Sequence, residues 1–217
     1  MSVVLLVRHG QASFGAADYD VLSEVGHEQS RVLGKSLAAR GVTPDVVIRG
    51  GLRRHQQTTD ELVGAAGWGN HGEVVVDDGF DEFDHLQIIE AYRPTLRPDQ
   101  AFQEAFGLAI ARWASGEYDA DYPEPFTAFE ARVVAAAERL NDVVPEKGLA
   151  VVVTSGGPIG VLTARLLAGE PASWGRFNSV AVNTGVTKLI SGRNGLSVVS
   201  FNEHTHLEHD RSLLTYR

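Results

Sequence analysis

Two continuous apolar runs constrain this chain most: Val3–Val7 (VVLLV) and Leu149–Thr154 (LAVVVT). Neither alternates apolar with polar residues. A strand with no polar side is buried on both faces, as in a parallel sheet covered by helices above and below. Further runs at Val46–Ile48, Val74–Val76, Val180–Ile190 and Leu196–Phe201 are read as strands. Helical patterns lie between them. Ser23 is a good N-cap for a helix over 24–39, which Gly41 and Pro44 then stop. Other helices are expected over His55–Ala66, over 99–114, from a Thr127/Glu130 capping box onward, and from the Gly156–Gly157 turn to about Ala168. Strand and helix thus alternate. The expected fold class is α/β, a three-layer α/β/α sandwich with a mostly parallel central sheet. The 217 residues suit a single domain, 1–217. Its middle, about 85–145, is helical and holds Pro94, Pro98, Pro123 and Pro125, and is read as an insertion or cap over one end of the sheet.

Composition narrows the function. The formal charge is −9, from 19 Lys and Arg against 28 Asp and Glu. A general nucleic-acid or anionic-membrane binder is not expected. An anionic ligand would have to be held by a local cluster of positive charge. There is no cysteine, which excludes disulfides, thiolate nucleophiles and Cys-ligated zinc. The first residues, MSVVLLVRHG, have no basic leading region and too short an apolar run for a signal peptide. No stretch approaches the ~18 apolar residues of a membrane span. The protein is expected in the cytoplasm.

In an open α/β sheet, ligands bind beyond the carboxyl ends of the strands. Polar residues fall at these ends: Arg8 and His9, then Arg53 and Arg54, Glu82, Ser155, and finally Asn202, His204 and His206. If the strands are parallel, the first four groups share one rim. Arginine forks hold phosphoryl oxygens bidentately and stay charged. A neutral imidazole can attack phosphorus. A protonated carboxyl can donate to a leaving alkoxide. The crowd of Asp77, Asp78, Asp81, Glu82 and Asp84 would raise the pKa of one member. Glycines let backbone N–H groups approach a phosphate closely.

The motifs resemble those of the histidine phosphatase superfamily, the phosphoglycerate-mutase-like fold. Its first motif, a strand ending Arg-His-Gly, is matched by Arg8, His9 and Gly10. Its second, Ser-Pro-Leu-x-Arg with Thr four residues on, is matched at Leu52, Arg54 and Thr58, with Gly50 and Gly51 in place of Ser-Pro. Its acidic turn is matched best by Glu82, with Asp81 and Asp84 as rivals. Its last strand ends Thr-His-Gly-Gly, here Thr154, Ser155, Gly156 and Gly157. The late NTGVTKL and FNEHTHL stretches also match.

The resemblance implies a metal-independent phosphatase. Small phosphomonoesters would be hydrolysed through a phosphohistidine on His9, with no cofactor and no metal. Arg8, Arg54, His9 and Glu82 are its implied catalytic residues. Arg8, Arg54, Gly10, Ser13, Ser155 and Gly156 would hold phosphate. Ser155 is the departure, because a hydroxyl brings no charge where the family has a histidine. Losing one charged contact costs ~3 kcal/mol, about a hundredfold in rate. His204 or His206 is considered as a substitute, and a faster Ser155→His variant would show that the missing charge limits turnover. His55 and His85 adjoin motifs and are weighed only for substrate contact; Asn183 and Gln11 are weighed as structural.

Two other readings compete. The site could bind phosphate as an attenuated binding or interaction module. A phosphoglycerate-type mutase is the less favoured one. It needs a strongly basic cap, whereas 85–145 holds no lysine and carries Arg93, Arg97, Arg112 and Arg132 among its arginines. Zinc on His204, His206, Glu208 and His209 lacks a known ligand spacing. The partner expected is a small phosphorylated substrate, with no nucleic acid and no membrane. A homodimer is left open.

Overall fold

The computed structural model describes residues 1–13, 20–69, 74–92, 102–169, 173–193 and 195–216. Strands β1 (Ser2–Arg8), β2 (Val46–Arg49), β3 (Val75–Val76), β4 (Leu149–Thr154), β5 (Val186–Gly192) and β6 (Gly195–Glu203) form one sheet, ordered β3-β2-β4-β1-β5-β6. β1 runs parallel to β4, and β2 parallel to both β4 and β3. β5 is antiparallel to both β1 and β6. The fold is the expected α/β sandwich with a mostly parallel sheet.

The continuous apolar runs have a direct cause. Leu5, Val7, Val151 and Val153 point to one face, among Leu33 and Leu37 of α1 (Glu24–Ala39) and Leu62 of α2 (Arg53–Ala66). Val4, Leu6, Ala150 and Val152 point to the other. There they join Phe129 and Val133 of α5 (Phe126–Val143) and Ile159 of α6 (Gly156–Thr163). Every position of β1 and β4 therefore meets a helix or a neighbouring strand. The helices α3 (His85–Tyr92) and α4 (Phe102–Ala114) precede α5, and α7 (Trp174–Val180) follows α6. No helix among the described residues is long and apolar enough to cross a membrane.

Ser23 caps α1 as expected, accepting from Gly26 N–H at 3.1 Å. Two expectations fail locally, and a third, the helix running to about Ala168, holds with a change of helix type. The capping box does not form, because α5 starts at Phe126 behind Pro125 and Thr127 Oγ1 donates to Asp119 at 2.6 Å. The run Val180–Ile190 is not one strand. It ends α7, turns through Ala181–Gly185, and becomes β5 only from Val186. Thr184 has a left-handed φ of 58°, and its N–H reaches back to Arg8 O (3.0 Å) and His9 O (3.4 Å). The turn braces the end of β1 instead of extending a strand. α6 stops at Thr163, and a π-helical turn carries the chain on to Ala168. Arg93, Arg97 and the expected helix start at 99 lie outside the described residues.

Candidate active site

The carboxyl ends of β1, β2 and β4 share one rim, and most of the residues expected to carry chemistry meet there. His9 follows β1. Its N–H donates to Thr154 O at 2.8 Å, and its carbonyl accepts from Asn183 Nδ2 at 3.1 Å. These bonds and the Thr184 turn pin the backbone on both sides. The ring is buried. Its Nδ1 lies 2.6 Å from Gly10 O, and a carbonyl can only accept, so the proton sits on Nδ1. Nε2 therefore presents a lone pair, which accepts from Arg54 Nε at 3.2 Å. Burial first, then the charges of Arg54 and Arg8 and the nearby His55, hold the pKa well below the usual histidine value. The imidazole is neutral.

Arg54 is buried in the first turn of α2. Its Nη1 donates to Asp20 Oδ1 at 2.6 Å, and Asp20 Oδ2 accepts the Arg53 N–H at 2.8 Å. Asp20 thus caps α2 and orients the guanidinium; motif reading did not point to it. Arg8 is fixed by backbone acceptors, with Nη1 donating to Ala181 O and to Tyr216 O (3.1 Å).

Glu82 is the acid turned toward this group. Its Oε2 accepts the Gly157 N–H at 3.2 Å, at the start of α6. A Cβ on Gly157 would lie 2.0 Å from Glu82 Oε1, so the glycine is required for this approach. Burial raises the carboxyl's pKa, opposed by Arg54, by the Gly157 hydrogen bond and by Arg8. Its neighbour Phe83 anchors the loop in an aromatic cluster, 5.0 Å from Trp113 and 5.6 Å from Trp174 between ring centroids. The two rival acids point elsewhere. Asp84 caps α3 through the Leu86 and Gln87 N–H groups. Asp81 accepts the Gly51 N–H at 2.6 Å and sits 3.5 Å from His55 Nδ1.

Gly10 does not offer its N–H as expected, and Gly156 leaves room for a neighbouring side chain. The Gly10 N–H is taken up by Thr58 Oγ1 at 3.0 Å instead of facing a phosphate. A Cβ there would lie 2.4 Å from Gly26 O, so Gly10 lets the loop pack on α1. A Cβ on Gly156 would meet Asn178 Oδ1 at 2.6 Å and Arg8 Nε at 3.5 Å, so that glycine leaves room for the guanidinium. Ser13 N–H donates to Val21 O at 2.8 Å, beside a bridge between Ala12 and Leu22. Gln11 accepts from Ser23 Oγ at 2.8 Å, a structural role.

The model of the histidine phosphatase superfamily (branch 1) matches residues 4–204. This chain belongs to that superfamily. Its fold is shared with a phosphoserine phosphatase from Entamoeba histolytica (TM-score 0.66, 22% identity, 95% of this chain and 100% of that one). A mycobacterial glucosyl-3-phosphoglycerate phosphatase is similar (0.66, 23%, 94% and 100%). So is a phosphoglycerate mutase from Bacillus anthracis (0.67, 17%, 95% and 95%). A 71-residue segment is 35% identical to a 2,3-bisphosphoglycerate-dependent phosphoglycerate mutase of Mesorhizobium japonicum. It covers 30% of this chain and 34% of that mutase.

Within this histidine phosphatase fold, the histidine beside Ser155 is neither His204 nor His206. Both follow β6, which is three positions from β4 in the sheet, about 14 Å at ~4.8 Å per strand. His206 Nε2 lies 3.0 Å from Thr184 Oγ1, behind the backbone that it braces. Its pKa is lowered to about 4, by burial first and then by His204, Arg40 and His209. His204 Nδ1 turns to Asn202 O at 2.6 Å. The nearby histidine is instead His55. Its Nε2 is 2.7 Å from Ser155 Oγ, and its ring centroid is 5.7 Å from that of His9. Sequence reading gave His55 too little weight. The available signal was a histidine in the first turn of the helix that carries Arg54.

Proposed function

We propose that this protein is a phosphatase acting on small phosphomonoesters, with His9 as nucleophile. The observation that carries the reading is the state of His9: a neutral ring whose Nε2 lone pair lies under Arg54 Nε, with the Arg8 charge also acting on it. The Nε2 lone pair forms a bond to phosphorus while the ester P–O bond breaks. The leaving alkoxide takes the proton of Glu82. Water then attacks phosphorus in line, Glu82 takes a water proton, the P–N bond breaks, and inorganic phosphate and neutral His9 return. Arg8 and Arg54 neutralise the equatorial oxygens in both transition states. The amino end of α6 adds a favourable dipole at the same rim. A resemblance in fold to phosphatases of phosphoserine and of glucosyl-3-phosphoglycerate supports a small, polar phosphorylated substrate.

The test is phosphate release from an aryl phosphate with EDTA present. Wild type is expected to turn over, and His9→Ala to lose activity by about a thousandfold or more while keeping its circular dichroism. Rapid alkaline quenching, which preserves a P–N bond, should trap phosphate on wild type and none on His9→Ala. Activity that survives in His9→Ala overturns the reading.

A further inference from the structure

Behind Arg8, His9 and Arg54 lies a second set of buried polar side chains: Asp81, His55 and Ser155. His55 and Ser155 are fully buried. Ser155 stands at the N-cap position of α6 but does not cap it; its hydroxyl is engaged with His55 Nε2 at 2.7 Å. The other ring nitrogen, Nδ1, faces Asp81 Oδ1 at 3.5 Å and has no closer hydrogen-bond partner among the described residues. Carboxylate, imidazole and hydroxyl thus follow one another, and the imidazole lies beside His9. An apolar side chain would fill such a space at lower desolvation cost, so packing alone does not account for a histidine here.

Two small residues make the arrangement possible. A Cβ on Gly50 would lie 2.3 Å from His55 Nδ1 and 2.5 Å from Asp81 Oδ1. Ser155 leaves the Nε2 side open. Gly50 and Ser155 are also positions where this chain departs from its family's motifs, and both departures border the same imidazole.

We propose that His55 supplies the positive charge that Ser155 lacks, and delivers it through the Ser155 hydroxyl. The argument follows the protons. Serine has one O–H. When His55 is neutral and its Nδ1–H faces Asp81, Nε2 accepts the Ser155 proton and none is left for a ligand. When His55 takes a second proton from solvent, Nε2–H donates to Oγ and the hydroxyl proton turns toward a phosphoryl oxygen. The arriving anion drives the change, because nearby negative charge favours imidazolium. In the empty site, burial first and the Arg54 charge hold His55 neutral, while Asp81 and Asp20 favour the proton. His9, at the end of β1, faces the ring as a neutral group. Ser155 is the group that touches the ligand; His55 is a positioning residue. The inference rests on the phosphatase reading for its role in turnover, though the proton uptake does not require turnover.

Sulfate, a tetrahedral dianion with no proton to exchange near neutral pH, is the probe. Ring nitrogen NMR of histidine-labelled protein would follow each imidazole from pH 6 to 8, with His55→Gln assigning the resonance. On saturation with sulfate, His55 is expected to pass from the neutral to the cationic pattern, its midpoint rising by about one unit or more. In aryl phosphate hydrolysis, His55→Gln and Ser155→Ala should each lower kcat by about thirtyfold to a hundredfold, and the double variant by no more. Ser155→His alone should be impaired, because His55 already fills the space. Adding His55→Ala to it should restore much of the rate. A His55 ring that stays neutral in saturating sulfate, or sulfate that shifts no ring resonance, overturns the relay. So does a His55→Gln enzyme with the rate of wild type. Turnover that persists in His9→Ala would instead sink the phosphatase reading, and the sulfate titration would still decide the relay.

Discussion

The two flanks of His9 are built on different principles. On one flank, Arg8 and Arg54 carry permanent charge and are held by fixed acceptors, Ala181 O and Tyr216 O for the first, Asp20 for the second. On the other, Ser155, His55 and Asp81 form a series whose charge depends on where one proton sits. The first flank is charged before anything binds. The second spares the empty site a further buried cation, which is costly beside two guanidinium groups. A site can therefore reach high positive charge only while its ligand is present.

Substitutions can break or sharpen this contrast. Arg54→Gln should have the largest effect, a loss of about a thousandfold in aryl phosphate kcat, because it removes permanent charge and the donor to His9 Nε2. Glu82→Gln should cost about a hundredfold with alkyl esters and less with an activated aryl leaving group, which needs no proton. The pH profile follows the same residues. Glu82 must be protonated and its pKa is raised, so rate falls as pH rises through that value. His9 must be neutral and its pKa is lowered, so the acid limb lies below the ordinary histidine range. Glu82→Gln should abolish the alkaline fall that Glu82 causes. Gly50→Ser strikes the second flank alone. Its side chain would displace His55 or Asp81, with about 1–3 kcal/mol lost in denaturant unfolding and a drop in kcat resembling that of His55→Gln.

The smallest effect is expected at His206. Its pKa is about 4 when folded and 6.5 when unfolded. The unfolded chain binds the extra proton, so stability is full above pH 6.5 and declines as pH falls toward 4. His206→Asn should flatten part of that decline in thermal melts and leave turnover near neutral pH unchanged.

Much of the first flank was legible before any coordinates, because its residues announce themselves locally. Arg8 and His9 end an apolar run, Arg54 opens a helix, and the Ser23 cap marks where α1 begins. Choosing Glu82 over Asp81 and Asp84 took the structure, since what separates them is the partner each reaches: Gly157, Gly51 or the start of α3. The second flank was opaque for a physical reason. His55 meets Ser155 across the sheet rim, in space that Gly50 leaves empty, and no spacing along the chain records an absent side chain. The valines at 180 and 182 misled in another way. They look like the start of a strand, but the bonds from Thr184 to the end of β1 outweigh local preference.

The placement of β1 has a consequence for how the protein is made. Its partners are β4 and β5, whose residues lie far along the chain at 149–154 and 186–192. The segment bearing the nucleophile is therefore synthesised early and seated late. Until both partners leave the ribosome, a bare apolar stretch with no strand beside it is available to other nascent chains. The same valines and leucines that fix His9 in the finished molecule have no sheet to join until those partners arrive.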